Sequence, residues 1–141
     1  MQDEITTAWR GDIDWADVDA MGHVNNLAIL RYVQSARIAL CDRLGVMPVR
    51  VSPRIGPIVA HIEIEYRHPL FYPGAVTVTS RLAAAGHTSF TAEHTIFDEA
   101  GHEIAFEREV LVYYDYQKGE KLPLPENFGA ETKEISESDI R

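Results

Sequence analysis

One long apolar segment with helical periodicity is followed only by segments that alternate like β-strands, and this order limits the fold more than any other feature. In NNLAILRYVQSARIALCDRLG, residues 25–45, apolar residues recur at spacings of three and four, as on one face of an α-helix: Ile29, Val33, Ala36, Leu40 and Leu44. Asn25 or Asn26 can cap its start, and Gly45 suits its end. Further apolar residues widen this face, namely Leu27, Leu30, Tyr32, Ile38 and Cys41. The sequence therefore predicts a helix that is buried on most sides.

The segments after the helix alternate with a period of two, which is typical of β-strands. The first, IVAHIEIEYRH, is predicted to place on one face Ile58, Ala60, Ile62, Ile64 and Tyr66. Its other face would carry His61, Glu63, Glu65 and Arg67. AVTVTSRLAA, TSFTAEHTIF and HEIAFEREVLVYYDY continue the alternation, and DEAG at 98–101 is typical of a hairpin turn. In the last segment, the residues expected to share one face are Ile104, Phe106, Val110 and Val112.

These segments predict an α+β fold in which one antiparallel sheet of about five strands wraps the helix. A short strand candidate at 5–10 precedes the helix, and the prolines of KLPLPENF end the sheet. A chain of 141 residues fits one domain, which we assign to 1–125, with an acidic polar tail at 126–141. The free sheet face and the edge strands would need covering, so we expect at least a homodimer.

Charge and cysteine content exclude several classes of function. A net charge of −9 argues against a general nucleic-acid binder, which would carry a basic patch. Cys41 is the only cysteine and lies among apolar residues, so we expect a core thiol and no disulfide. The first ten residues lack the features of a signal peptide, and no apolar run is long enough to cross a membrane. A cytoplasmic protein without membrane contact is the simplest expectation.

The stretch DVDAMGHVNN, residues 17–26, contains the densest group of chemically active side chains in the sequence. In a structural interpretation, its acids and asparagines satisfy the backbone donors at the helix start. In a metal interpretation, Asp17, Asp19 and His23 are ligands, although no second cluster completes the shell. In a catalytic interpretation, a carboxylate acts as base or nucleophile beside a helix N-terminus that stabilises an oxyanion, and Gly22 allows close backbone approach. Spacing alone leaves these alternatives open.

The pattern D-x-D-x-x-G-H-V-N-N, followed by a helix with a late Ala-Arg pair, resembles the 4-hydroxybenzoyl-CoA thioesterase type of hotdog-fold acyl-CoA thioesterase. The resemblance continues through IEIEYRHPLFYPG, GHTSFTAEHTIFD and VLVYYDYQKGEKLPLP, and covers residues 5–125 in order. It implies the hotdog fold, a central helix wrapped by a curved sheet. It also implies hydrolysis of acyl-CoA to free acid and CoA without metal or organic cofactor. The subunits would share their active sites in a homodimer or in a tetramer formed as a dimer of dimers.

The resemblance also implies a role for individual residues. Asp19 would be the catalytic carboxylate, and the backbone N–H near Asn26 would polarise the thioester carbonyl. His23 would line or brace the site, although a packing role fits it equally well, and Asp17 would support the loop. The substrate-binding residues would be Asn25, Val59, His61, Arg67, Thr88 and Ser89, with the strand residues supplied by the facing subunit.

Two positions depart from the family pattern. Ile29 stands where the family often has tyrosine, and Gln34 stands where it often has glutamate three residues before Arg37. Both changes bear on the acyl group and leave Asp19 in place. The largely aliphatic helix favours fatty or branched acyl groups over aryl groups. The alternatives are a non-catalytic acyl-CoA-binding module and, less favoured, a hydratase, whose Asp–His arrangement this loop does not match.

Overall fold

The computed structural model describes residues 4–48 and 54–130, and it contains one α-helix packed on one antiparallel sheet. The helix α1 spans Asn26–Leu44 and follows a single 3-10 turn at Trp15–Asp17. The strands are β1 Thr6–Asp12, β2 Ile55–Tyr66, β3 Ala75–Ala85, β4 Ser89–Asp98, β5 Glu103–Asp115 and β6 Glu120–Lys121. The predicted α+β arrangement is confirmed.

The six strands form one sheet in the order β1-β3-β4-β5-β2, with the short β6 pairing with β5. The sequence predicted about five strands, and the additional strand is only two residues long. The helix α1 lies on the face formed by β1, β3 and β4. Strands β1 and β2 are therefore the two edges of the sheet, and β2 leaves one side of its backbone unpaired in the single chain.

The helix begins and ends at the residues that the sequence indicated. The side chain of Asn25 accepts a hydrogen bond from the backbone N–H of Ala28 at 2.8 Å. Gly45 ends the helix with φ of +79°, a left-handed conformation that glycine adopts without strain. The predicted apolar stripe is buried, but Leu27 and Ile38 are 70% and 49% exposed. The expectation of burial on most sides is therefore wrong for one side of the helix in the single chain.

Strand β2 contains a bulge that changes which residues face the helix. Its register with β5 shifts between Val59 and His61. Before the bulge, Val59 packs against the core, while Ile58 is exposed. After the bulge, Ile64 packs against the core, as predicted. The predicted face is thus right beyond the bulge and wrong before it, because one extra residue inverts the alternation.

The core consists of two hydrophobic clusters, one on each half of α1. The N-terminal cluster includes Ala28, Val33, Val76, Ile96 and Ala105. The C-terminal cluster includes Leu40, Cys41, Leu44, Phe90 and Leu111. Cys41 is only 1% exposed, and burial raises the pKa of its thiol to about 12, which confirms a core thiol.

A layer of buried polar side chains lies between the two clusters and was not predicted. Glu107 and Glu109 of β5 are fully buried and contact Arg37 of α1. Phe106, Val110 and Val112 share one face of β5, as expected, and Glu107 and Glu109 occupy the opposite face, which is turned toward the helix. The glutamates face inward because a cation on the helix and a histidine on β4 compensate them.

The fold extends past the predicted end of the domain at residue 125. Phe128 packs against the C-terminal cluster, and the N–H of Gly129 donates to the carbonyl of Leu44 at 3.4 Å. Residues 131–141 of the expected tail lie outside the described residues, so the tail stays a prediction. None of the helical structure in the described ranges has both the length and the apolar character that a membrane crossing requires.

Candidate active site

The stretch at residues 17–26 folds as a tight hairpin that leads directly into α1. Val18 and Val24 form an isolated antiparallel bridge, and the N–H of Asp19 donates to the carbonyl of His23 at 3.0 Å. The turn closes when the N–H of Gly22 donates to the carbonyl of Asp19 at 3.0 Å. Gly22 has φ of +85°, and a Cβ added there would meet no atom within 4 Å. Backbone conformation, not crowding within the chain, is therefore what favours glycine here.

Asp17 and Asn25 tie the hairpin to the helix. The carbonyl of Asp17 accepts from both the backbone N–H and the side-chain amide of Asn25, each at 2.9 Å. The carboxylate of Asp17 forms an ion pair with Arg31, one turn further along α1. Asn25 also caps the helix, so it makes three connections at one point. The structural and catalytic interpretations of this stretch are compatible, because different residues serve each role.

The carboxylate of Asp19 is held by the turn rather than by another charge. Its Oδ1 accepts the backbone N–H of Met21 at 2.9 Å. The residue is half-buried and lies across the hairpin from His23. The imidazole Nδ1 of His23 lies 3.2 Å from the carbonyl oxygen of Val24, which orients the ring beside the helix start.

A groove of about 430 Å³ opens at the start of α1. The lining residues that matter here are His23, Asn26, Ile29, Tyr66, Arg67 and Leu70, whereas Asp19 is not among the lining residues in the single chain. The hydroxyl of Tyr66 donates to the carbonyl of Asn26 at 3.4 Å. The backbone N–H groups of Asn26 and Leu27 have no acceptor within the helix, because the first turn lacks preceding carbonyls. The groove thus meets the positive end of the helix dipole.

Arg67, one of the residues expected to bind substrate, lies at the rim of this groove, where a free cation would suit the phosphates of CoA. Its guanidinium binds Glu65 at 3.1 Å and Glu103 at 2.5 Å. The hydrogen bond to Glu65, followed by the charge of Glu103, raises the pKa of Arg67. Two carboxylates already compensate this cation, which weakens its attraction for a phosphate. The phosphate contact stays a prediction.

The remaining expected substrate-binding residues lie elsewhere in the single chain. Ser89 pairs with Val112, which pairs in turn with Ile58, so Thr88, Ser89 and Val59 lie at the opposite end of the sheet from the groove. His61 lies on the sheet face turned away from the helix and approaches Glu63 at 3.2 Å. The single chain thus brings His23, Asn26 and Arg67 to the groove and holds Asp19 and Asn25 on the adjoining hairpin, whereas the other four residues lie elsewhere.

A second cavity, which we call the lateral pocket, lies between the C-terminal half of α1 and the start of β2. Its volume is about 450 Å³. The walls are mostly apolar and include Ile38, Met47, Pro57, Val59 and Leu111. Gln34 and Arg37 supply polar groups on the helix side. Val59, expected from the sequence to border an acyl group, lines this pocket and not the groove.

Arg37 connects the lateral pocket to the buried polar layer. Its Nε donates to Glu109 Oε2 at 2.5 Å, and its second contact with Glu109 is 3.2 Å. His94 Nε2 lies 2.8 Å from Glu109 Oε1, and His94 Nδ1 lies 2.6 Å from Ser80 Oγ. The layer therefore runs from β3 across the sheet to the helix.

The two glutamates of this layer have opposite protonation states. Burial and then the neighbouring Glu109 raise the pKa of Glu107 to about 9. Burial alone would also raise the pKa of Glu109, but hydrogen bonds from His94 and Arg37 outweigh it and lower the pKa to about 2. At neutral pH Glu107 is an uncharged acid that shares its proton with an ionised neighbour.

The polar layer is also the only cluster of potential metal ligands in ranges 4–48 and 54–130. His94, Glu107 and Glu109 each offer one ligand atom, and these three atoms lie within 4.8 Å of one another. Arg37 and the proton on Glu107 already neutralise these carboxylates, so the layer is balanced without an added cation. The alternative set of Asp17, Asp19 and His23 forms no such cluster, and Arg31 occupies the carboxylate of Asp17.

Some site residues carried no signal in the sequence. Tyr66 was predicted to share one face of β2 with Ile62 and Ile64, but the alternation gave no sign that its hydroxyl would reach the carbonyl of Asn26 at the helix start. The Asp17–Arg31 pair joins residues that no short-range spacing rule connects. The polar layer contradicts the expected outward direction of charged side chains, so no alternation rule could reveal it.

Comparison with known proteins places the chain among thioesterases. The model of the thioesterase-like superfamily matches residues 13–131. A thioesterase from Thermus thermophilus, solved with coenzyme A and Zn, is 31% identical, with 84% of this chain and 90% of that chain covered and a TM-score of 0.73. No curated protein sequence matches significantly.

More distant structures share the fold. The DHNA-CoA thioesterase from Staphylococcus aureus is 18% identical, with 84% of this chain and 80% of that chain covered and a TM-score of 0.77. A 1,4-dihydroxy-2-naphthoyl-CoA thioesterase from Synechocystis is also 18% identical, with 85% and 90% covered and a TM-score of 0.73. The expected hotdog arrangement of one helix on an antiparallel sheet is thereby confirmed.

Proposed function

The chain belongs to the thioesterase-like superfamily, and from that premise we infer that it is an acyl-CoA thioesterase. The reaction is hydrolysis of an acyl-CoA thioester to a free acid and CoA. The observation that carries this proposal is the direct connection between the hairpin of Asp19 and the start of α1. Hydrogen bonds between Asn25 and Asp17 fix the hairpin that carries Asp19 to the helix start, where the first N–H groups have no acceptor within the helix.

In the proposed mechanism, the thioester carbonyl oxygen binds at the N–H groups of Asn26 and Leu27. The partial positive charge of the helix start stabilises the negative charge that develops on this oxygen. Asp19 then either removes a proton from an attacking water or attacks the carbonyl carbon itself to form an anhydride. The thiolate of CoA leaves and takes up a proton, and water supplies the hydroxyl of the free acid.

We propose that the site is completed by a second copy of the chain, paired through the free edge of β2. Antiparallel pairing about the middle of this strand sets its 57–59 end against the 64–66 end of the other copy. The lateral pocket of one protomer would then lie next to the groove of its partner. This arrangement gives Val59, Thr88 and Ser89 access to a substrate that Asp19 of the other protomer attacks. It also explains why Asp19 and the three strand residues lie at opposite ends of the sheet within one chain.

The substrate follows from the two cavities. The groove accommodates the thioester and the arm of CoA, while the mostly apolar lateral pocket accommodates the acyl chain. Aliphatic walls of Ile38, Met47 and Val59 favour a fatty or branched acyl group. A CoA ester in a reducing, cytoplasmic setting remains the expected substrate form.

The first test is release of thiol from acyl-CoAs of increasing length and from aryl-CoAs, by the wild type and by Asp19→Asn. We expect one acyl class to turn over and Asp19→Asn to lose at least about a hundredfold in kcat, the scale of losing a base or nucleophile. Asp12→Asn makes the same chemical change at an exposed carboxylate of β1 and serves as the matched control.

The thiol-release assay, combined with a measurement of binding, distinguishes an enzyme from a non-catalytic acyl-CoA-binding module. A wild type that binds acyl-CoA in equilibrium dialysis but releases no thiol from any ester would favour the binding module. Equal rates for the wild type and Asp19→Asn would remove Asp19 from the mechanism while leaving the activity in place.

A further inference from the structure

We propose that the lateral pocket selects acyl groups that carry a neutral polar group, such as a hydroxyl or keto group, at the end remote from the thioester. Arg37 is the residue that recognises this group. The inference rests on the proposed function, because it names the substrate class of that site. It departs from the expectation of a plain alkyl chain, which the apolar walls alone would favour.

The first step is that the mostly apolar pocket has two polar side chains on its helix side. Apolar side chains from α1, β2 and β5 form most of the lining. Tyr116 also lines the pocket, but its hydroxyl donates to the carbonyl of Pro57 at 2.6 Å. Gln34 and Arg37 remain as the polar side chains able to meet a ligand within the described lining. Since Arg37 is 15% exposed, its guanidinium is not sealed inside the core.

The second step is that Arg37 retains hydrogen-bond donors. A guanidinium has five N–H groups, and Glu109 engages Nε and one terminal nitrogen. Glu107 is 3.8 Å from that same terminal nitrogen. N–H groups beyond those used by Glu109 are available to an acceptor that enters the pocket. An alkyl end would leave them facing hydrocarbon, which is unfavourable for buried donors.

The third step decides between a neutral and an anionic acceptor. Glu109 binds Arg37 at 2.5 and 3.2 Å and Glu107 lies 3.8 Å from it, so carboxylates inside the protein already compensate the guanidinium. A second carboxylate, brought in by a dicarboxylic acyl group, would therefore add an uncompensated charge to a mostly apolar cavity. A hydroxyl or keto oxygen accepts the same hydrogen bonds without that cost. The buried glutamates thus determine that Arg37 acts as a donor and not as an anion receptor.

The test compares three CoA esters of equal length that differ only at the far end: octanoyl, ω-hydroxyoctanoyl and suberoyl. We expect kcat/KM to be about tenfold higher for ω-hydroxyoctanoyl than for octanoyl, as for a hydrogen bond from a charged donor. Suberoyl, with its terminal carboxylate, should be the poorest of the three. Equal values for the three esters, or a preference for suberoyl, would overturn the proposal.

The variants assign the effect to Arg37 and to its buried partner. Arg37→Met/Glu109→Gln removes one positive and one negative charge together, so the buried charge stays balanced, and it should abolish the preference for the hydroxyl. Glu109→Gln removes a negative charge beside Arg37, so it should raise kcat/KM for suberoyl-CoA relative to octanoyl-CoA. Arg10→Met removes an exposed arginine of β1 and is the matched control. If the double variant keeps the hydroxyl preference, Arg37 is not the recognising residue.

A binding measurement separates this proposal from the proposed function. The N-methylamides of the same three acyl groups carry no thioester, so calorimetric titration reports the pocket without catalysis. An Arg37-dependent preference for the hydroxyl amide, with no turnover of any CoA ester, would uphold the pocket and reject the hydrolase. Turnover of the CoA esters without any preference among the esters or among the amides would uphold the hydrolase and reject recognition by Arg37.

Discussion

At the scale of single residues, Glu107 and Glu109 show how neighbours decide the charge of a buried carboxyl. They are two residues apart on β5 and both are fully buried, yet their pKa values shift in opposite directions. Glu109 receives hydrogen bonds from His94 and Arg37, which favour its charged form. Glu107 has no comparable donor, so it keeps its proton and shares it with Glu109.

This difference predicts an unusual dependence of stability on pH. In the folded protein Glu107 holds its proton up to about pH 9, whereas the unfolded chain releases it near the ordinary value of 4.5. Because the unfolded state binds fewer protons over that range, this group makes the free energy of unfolding fall as pH rises, by at most about 1.4 kcal/mol per pH unit. Glu107→Gln mimics the protonated acid and should remove this contribution.

Urea denaturation at pH 5.5, 7 and 8.5 would measure the effect. We expect the wild type to lose stability relative to Glu107→Gln as pH increases. Glu120→Gln, which changes an exposed carboxylate on β6, should follow the wild type at each pH. A constant difference between the wild type and Glu107→Gln across the three values would show that Glu107 is not protonated in the folded state.

Residues whose role is local were the ones predictable from the sequence. Asn25 and Gly45 were placed at the helix ends because capping depends on a few neighbouring backbone groups. Cys41 was placed in the core because its neighbours are apolar. The inward direction of Glu107 and Glu109 depends on Arg37, which is about seventy residues away in the chain. Such compensation exists only after folding, so spacing rules miss it.

At the scale of elements, the hydrogen bonds between the hairpin and α1 hold Asp19, the proposed catalytic residue, in a fixed relation to the helix start. Asn25→Ala would remove the helix cap and one of the two hydrogen bonds to the carbonyl of Asp17. We expect a loss of about 1 kcal/mol in the free energy of unfolding, typical of a lost cap. We also expect a lower kcat, because the hairpin that carries Asp19 loses a connection.

Thermal or urea unfolding and the thiol-release assay together would check this joint. Asn127→Ala, at an exposed position in the turn after β6, is the matched control. If Asn25→Ala lowered stability but left kcat unchanged, the connection would serve the helix alone and not the position of Asp19.

The order and type of the secondary-structure elements were predicted well, but the face on which each strand places its side chains was predicted less well. The helix and the long strands lie where their periodicity placed them. The bulge in β2 between Val59 and His61 could not be foreseen, because IVAHIEIEYRH alternates without interruption. Which residue becomes the extra one depends on how β2 pairs with β5 and packs under α1. Both contacts join segments that are far apart in the sequence.

At the scale of the whole molecule, the proposed pairing of two copies rests on the free edge of β2 and on the exposed apolar side of α1. Ile62 lies after the bulge, on the helix-facing side of the edge strand, and is 41% exposed. Ile62→Lys should prevent pairing of two β2 edges, because charged residues on an edge oppose strand association. We expect a monomer with little thioesterase activity.

Size-exclusion chromatography with light scattering would measure the assembly. Ala8→Lys places the same charge on β1, the other edge of the sheet, and should leave the β2-paired dimer intact. A wild type that is monomeric and active, or a dimer that persists in Ile62→Lys, would contradict pairing through β2.

The fold of the chain was accessible from the sequence because it depends on the order of segments and on their periodicity. The complete site was accessible only in part. The start of α1 forms within one segment of chain, so Asp19, His23 and Asn26 could be grouped together. Thr88, Ser89 and Val59 lie at the other end of the sheet in the single chain, and their grouping with that site was implied by family resemblance rather than by any spacing.

The ion pair between Arg37 and Glu109 fixes the helix at its midpoint. A shift of α1 along the sheet would separate these charges in the core, which is costly, so the pair opposes such a shift. Protein engineers can therefore treat the two ends of the helix as independent modules. If the lateral pocket holds the acyl group as proposed, Ile38 on the helix and Met47 just after it are the positions to vary for new acyl groups.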